Sequence, residues 1–225
     1  MDIYIRPFFI FAIKIYFMNV KNIILDLGGV LLNIDYNKTI ERFQKLGIPN
    51  FEKIFTQAKQ EQLFDKYESG LIDSNEFIET LKRKLPKEIT KTEIIDAWNA
   101  MLLDFPQERL GFLLELKNHY NTALLSNTNP IHLEAFHKII QQDNKIDDLT
   151  QYFDKLYFSS DMGMRKPSPE IFLKVCNDLD FEPSETLFID DTAQHVEGAK
   201  KAGLQAHLLN VKEQDIIQLL NTLLA

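Results

Sequence analysis

The sequence predicts a parallel α/β fold interrupted by a helical insert, and three observations carry that prediction. After Pro106, short continuous apolar runs alternate with amphipathic stretches, the pattern of strands buried on both faces and linked by crossover helices. One more run of that kind, Ile23–Leu27, stands far ahead of the others. Between them, from about Tyr36 to Phe105, the apolar residues recur at helical spacing instead, as in Ile40, Phe43 and Leu46 and again in Phe77, Ile78 and Leu81.

Taken from the N-terminus, Met1–Met18 is rich in apolar residues, but Arg6, Pro7 and Lys14 interrupt it. No stretch there approaches the roughly 20 apolar residues that span a bilayer. No small-residue cleavage site separates it from the strand that follows, which argues against a secretory signal. Residues 1–18 are therefore expected to be an apolar N-terminal extension, with Met18 as the natural start; the alternative is an extra strand or an exposed sticky arm. Ile23–Leu27 is the first strand, and its Asp26 gives way to Gly28 and Gly29, a tight loop.

Residues 36–105 form the expected insert of several short helices, punctuated by Gly47 and Pro49, with Asp73 and Glu76 in the pattern of a capping box. Strands are then predicted at Ala123–Leu125, Lys155–Phe158, Leu187–Ile189 and Ala206–Leu209. The core thus comprises residues 19–35 and 106–225, a Rossmann-like parallel sheet flanked by helices, with residues 36–105 as a small helical cap.

Composition narrows the function. The chain has 225 residues, 45% hydrophobic and 26% charged, enough for one full core and a smaller satellite. A formal net charge of −8, with no run of Lys and Arg, argues against nucleic acid as a partner. The single Cys176 excludes an internal disulfide and fits a cytoplasmic protein, and no Cys/His pair has zinc spacing. The five histidines have no metal-ligand spacing and read as surface or packing residues, and Trp98 reads as core.

Ligands of open α/β sheets sit beyond the carboxyl ends of the strands, so the polar residues after each run matter most. Asp26 leaves its strand where the backbone turns; it reads either as a turn cap or as a carboxylate that attacks phosphorus or binds a cation. Ser126-Asn127-Thr128-Asn129 follows the next strand and reads as a helix N-cap turn or as a set of anion donors. In Arg165-Lys166-Pro167-Ser168-Pro169, Ser168 and Pro169 mark a helix start, where Lys166 is either solvated or a point charge for a phosphate or carboxylate. Asp190-Asp191 ends a strand with two adjacent carboxylates, which repel unless a cation lies between them or water solvates them; such oxygen ligands suit Mg²⁺.

Together and in this order, Asp26-Leu-Gly-Gly-Val, Leu125-Ser-Asn, Asp161-Met-Gly-Met-Arg-Lys-Pro and Phe188-Ile-Asp-Asp with Glu197-Gly-Ala resemble the haloacid dehalogenase superfamily from Val20 to about Val211. Within it they look most like the small sugar-phosphate phosphatases, the α-D-glucose-1-phosphate phosphatase-like subgroup. Glu68-Ser-Gly-Leu-Ile-Asp-Ser-Asn-Glu-Phe resembles their helical cap. The resemblance implies Asp26 as catalytic nucleophile and a magnesium ligand, with Gly28 offering its carbonyl and Asp190 and Asp191 completing the metal site. It implies Ser126, Asn127 and Lys166 as phosphate-binding residues, with Lys166 also catalytic. The expected partner is a small phosphorylated metabolite, met by a monomer or weak homodimer away from membranes.

Gly28 departs from the pattern, because most phosphatases of the superfamily carry an acid/base Asp there. Asn33 and Asp35 are the nearby candidates to replace it. A good leaving group, such as an anomeric sugar oxygen or a phenol, needs less acid assistance, so such substrates are expected. The rival expectations are a 2-haloacid dehalogenase, which Asp190-Asp191 argues against, and a phosphometabolite-binding protein that lost turnover.

Overall fold

The computed structural model describes residues 19–54 and 62–224. The apolar extension assigned to residues 1–18 lies outside them. Five strands, β1 (Asn22–Leu25), β2 (Asn121–Ser126), β3 (Lys155–Phe158), β4 (Thr186–Asp190) and β5 (Gln205–Leu208), form one sheet. Their order is β3-β2-β1-β4-β5 and every pairing is parallel. The chain builds outward from β1 to β3, then crosses back to add β4 and β5 on the other side. That reversal opens a crevice beyond the carboxyl ends of β1 and β4.

Alternation along β1 shows how the sheet is covered. Ile23 and Leu25 pack on one face with Leu113 and Leu116 of α5 (Gln107–His119), Phe136 and Ile140 of α6 (Pro130–Asn144) and Leu220 of α10 (Ile216–Leu223). Ile24 packs on the other face with Phe172 and Val175 of α8 (Pro169–Leu179) and Ala199 of α9 (Ala193–Lys201). The helix α7 (Ser159–Met162) follows β3 directly. β1 and β4 are wholly buried, whereas β3 and β5 are only partly so. The sequence reading of four fully buried strands is corrected here for these two, which lie at the sheet's edges and lack a neighbour on one side.

Between β1 and β2 lie α1 (Tyr36–Lys45), α2 (Leu63–Glu68), α3 (Ser74–Lys82) and α4 (Lys91–Asn99). These helices share a hydrophobic cluster of their own, built on Phe43, Phe51, Phe77, Leu81, Ile94 and Trp98. Asp73 caps α3 by accepting from Glu76 N at 2.8 Å, and Thr90 with Glu93 forms a reciprocal capping box on α4. The insert meets the core where Ile131 of α6 joins its cluster. No helix among the described residues is long and apolar enough to cross a membrane.

Candidate active site

β1 ends at Leu25, and Asp26 N still donates to Ile189 O of β4 at 3.0 Å, so the sheet ladder itself fixes where the carboxylate emerges. The loop then closes on itself, with Gly29 N donating to Leu32 O at 2.8 Å. Gly29 has φ +79°, the left-handed region that favours glycine, and a Cβ there would press on the Asp191 carboxylate. Gly28 is constrained differently: a Cβ there would lie 3.3 Å from Ile34 Cδ1, a tight contact at the spot where the superfamily pattern has an acid.

The centre of the site is Lys166. It has no exposed surface, and its ammonium donates to Asp26 Oδ1 at 2.7 Å, Asp190 Oδ2 at 2.7 Å and Leu125 O at 2.9 Å. All three of its protons are thereby used. Asn127 holds the lysine's backbone: its Nδ2 donates to Lys166 O and its Oδ1 accepts from Lys166 N, both at 2.9 Å. The Asn127 side chain is therefore committed to the loop, and what it retains for an anion is its main-chain N–H. Ser126 is the last residue of β2 and lines the cavity at its foot.

Asp190 and Asp191 play unlike parts. Asp190 is fully buried and accepts from Lys166, from Thr192 N at 2.8 Å and from His195 Nδ1 at 3.0 Å. Asp191 faces the cavity. Oxygen atoms of Asp26, Asp190 and Asp191 lie within 4.8 Å of one another. Burial works to raise Asp190, but Lys166 and His195 together hold its carboxyl well below the usual range. Asp26 has Lys166 and the Leu27 backbone N–H for support, but burial, together with Asp190's charge, outweighs them and pushes it up to about 7. Asp191 is likewise raised by burial and by Asp190. One ammonium does not balance three carboxylates, and the two facing the cavity carry the deficit.

Asp26, Ser126, Asn127 and Asp191 line a cavity of about 240 Å³ roofed by the helical insert. Ile34, Phe64, Trp98 and Leu102 make one wall apolar. Arg165, next to Lys166, also lines the cavity and is gripped by Asp65 Oδ1 and Glu68 Oε2 of α2, each at 2.8 Å. Burial raises the Glu68 carboxyl in spite of Arg165.

The proposed replacements for an acid at 28 are corrected by the structure. Asn33 Nδ2 donates to Asp104, and its Oδ1 accepts from Arg109 at 3.1 Å. Asp35 caps α1, accepting from Asn37 N at 3.0 Å. Asn33 is committed to two side chains and Asp35 to a helix start, and neither lines the cavity. His195, read from the sequence as an ordinary surface or packing residue, instead bonds Asp190 from the first turn of α9. Its position five residues beyond Asp190 was the available signal. Trp98 is buried as expected but also walls the cavity.

Comparison with known proteins places this geometry. The profile of the haloacid dehalogenase-like hydrolases matches residues 20–203. The chain is 34% identical over 187 residues to the D-ribitol-5-phosphate phosphatase of Bacteroides thetaiotaomicron, covering 83% of this chain and 90% of that one. The crystal structure of a HAD family enzyme from the same organism, in complex with magnesium and inorganic phosphate, superposes with TM-score 0.78 at 37% identity, covering 87% and 96% of the two chains. A predicted HAD-like hydrolase of Porphyromonas gingivalis gives TM-score 0.81 at 32% identity, over 92% and 98%. The chain belongs to the haloacid dehalogenase-like hydrolases.

Proposed function

We propose that this chain is a magnesium-dependent phosphatase of small phosphomonoesters, foremost sugar and polyol phosphates, working through an aspartyl-phosphate on Asp26. The observation that supports it most is the buried Lys166 shared between Asp26 and Asp190 beside the cavity that Asp191 faces. The comparisons support the reading: one match is named for ribitol 5-phosphate, and a matching crystal structure holds magnesium and inorganic phosphate.

Lys166 holds Oδ1 of Asp26. Attack on phosphorus then falls to Oδ2, which forms the new P–O bond as the ester oxygen leaves. Water hydrolyses the acyl phosphate, which releases phosphate and restores the carboxylate. The Ser126 hydroxyl and the Asn127 main-chain N–H face the phosphoryl oxygens, while the sealed Lys166 acts on the nucleophile. The close approach of the three carboxylates fits a hard divalent cation, held by Asp26, Asp190, Asp191 and the Gly28 carbonyl. When bound, magnesium supplies positive charge against the phosphoryl oxygens. Residues 19–35 and 106–225 act as the catalytic core, and residues 36–105 act as the cap that selects the leaving group.

With no acid at position 28, good leaving groups are favoured. Ribitol 5-phosphate, a primary alkyl ester, is the opposite case, so the test panel contains it together with an anomeric sugar phosphate and para-nitrophenyl phosphate. Turnover is measured in magnesium and in EDTA. Asp26→Asn should lose at least about 1000-fold of a magnesium-dependent rate. Metal-independent release of chloride from 2-chloropropionate would favour a dehalogenase, and phosphate-ester binding without turnover would favour a binding protein. Fast hydrolysis of ribitol 5-phosphate would sink the leaving-group preference and leave the phosphatase standing.

A further inference from the structure

The charges at the leaving-group end of the cavity carry a selectivity beyond the reaction itself. Arg165 is the sole Lys or Arg among the described residues that line the cavity. It is already paired with two carboxylates, Asp65 Oδ1 and Glu68 Oε2, both from α2 of the insert. Lys166, the other cation nearby, is sealed from the cavity behind Asp26. The leaving-group end is therefore left with more negative than positive charge, and with no cation uncommitted. The same cavity is also lined by the apolar side chains of Ile34, Phe64, Trp98 and Leu102.

We infer that Glu68, clamped on Arg165, is a specificity residue that selects an uncharged polyhydroxylated leaving group and rejects one bearing a second anion. This deepens the phosphatase reading and rests on it. A carboxylate accepts hydrogen bonds from vicinal hydroxyls, the guanidinium donates to them, and the C–H face of a sugar or polyol lies against the apolar wall. A carboxylate or second phosphate in the same place meets a guanidinium whose charge Asp65 and Glu68 already offset, and faces those two carboxylates at short range. The clamp also fixes Glu68 in space. Two residues on, Gly70 has φ +64° and sits so close to Ser160 O that a Cβ would collide with it, which pins the end of α2 against the core.

The test is a matched pair of substrates for the full chain in magnesium: ribitol 5-phosphate and 5-phosphoribonate, which differ by one carboxylate. The expected kcat/KM ratio favours the polyol by about 100-fold, carried mainly by KM. Glu68→Gln should narrow that ratio about tenfold by lowering KM for the acid and raising it for the polyol. Asp65→Asn leaves the Glu68–Arg165 pair in place and should narrow the ratio about threefold, which guards against a folding defect in the first variant. A wild-type ratio near one, or a ratio that neither variant moves, overturns the proposal. Turnover of para-nitrophenyl phosphate tells the two levels apart. If it is present while the ratio is near one, this proposal alone fails; if all three substrates are inert, the phosphatase reading fails and takes this one with it.

Discussion

Lys166 and Trp98 are both buried side chains at the site, one in the core and one in the insert, and different forces hold them. Lys166 has no exposed surface and is fixed by two carboxylates and a carbonyl within 2.9 Å. Trp98 is 4% exposed and stacked between Phe64 and His132, with ring centroids at 5.2 and 5.1 Å. A buried charge has one acceptable arrangement, because its partners were desolvated for it. An aromatic wall needs only volume and contact, which several side chains supply. The core should therefore tolerate no substitution at its centre, while the insert should accept conservative ones and change what it admits.

The sharpest way to break that contrast is Lys166→Met. It leaves Asp26 and Asp190 facing each other without their cation, an uncompensated buried charge that costs about 3–5 kcal/mol. Urea denaturation in EDTA measures it, and turnover should vanish with it. A loss below about 1 kcal/mol would mean that the two carboxylates already share a proton in the native state.

A smaller effect is expected from Trp98→Phe in the insert. Stacking on Phe64 survives in part and the cavity gains volume, so stability should fall by about 1–1.5 kcal/mol. Turnover of para-nitrophenyl phosphate should stay within about tenfold, while the ranking of sugar phosphates shifts. A collapse of all activity would show that the insert positions the chemistry as well as the leaving group.

The same contrast explains what was legible in the sequence. Asp26, Ser126, Lys166 and Asp190 each stand at the end of a strand or the start of a helix, so their positions follow from the element boundaries that periodicity reveals. The crevice between β1 and β4 then brings together residues 164 apart in sequence. Glu68 and Arg165 stood inside motifs already quoted, but their pairing joins the insert to the core, and no periodicity encodes that distance. Asn33 and Asp35 were misjudged for a related reason. Both are near Asp26 in sequence, yet the loop spends them on Asp104, Arg109 and the start of α1. Position along a chain fixes which strand end a residue occupies, not which way a loop side chain points.

His132 lies on the seam between the two regions and yields the smallest and most specific prediction. Its ring stacks on Trp98, its Nε2 lies 3.4 Å from Trp98 O, and its Nδ1 lies 3.2 Å from Asn129 Nδ2. The neutral tautomer that donates to the carbonyl and accepts from the amide satisfies both contacts, whereas a second ring proton would meet another donor. Burial lowers its pKa from 6.5 to about 4. Between those values the unfolded chain takes up a proton that the folded chain refuses. Stability is therefore fully present above pH 6.5 and falls as pH drops toward 4. Allowing for the ring's partial exposure, the loss is about 2 kcal/mol at 1.36 kcal/mol per pKa unit. Carboxylates titrate in the same range, so the measurement is a difference: urea midpoints from pH 7 to 4 for the wild type and for His132→Gln, which keeps an amide at the seam without a titrating group. The wild-type curve should fall more steeply by that amount. Parallel curves would mean that the ring accepts its proton in place, and that the seam between insert and core opens more easily than its stacking suggests.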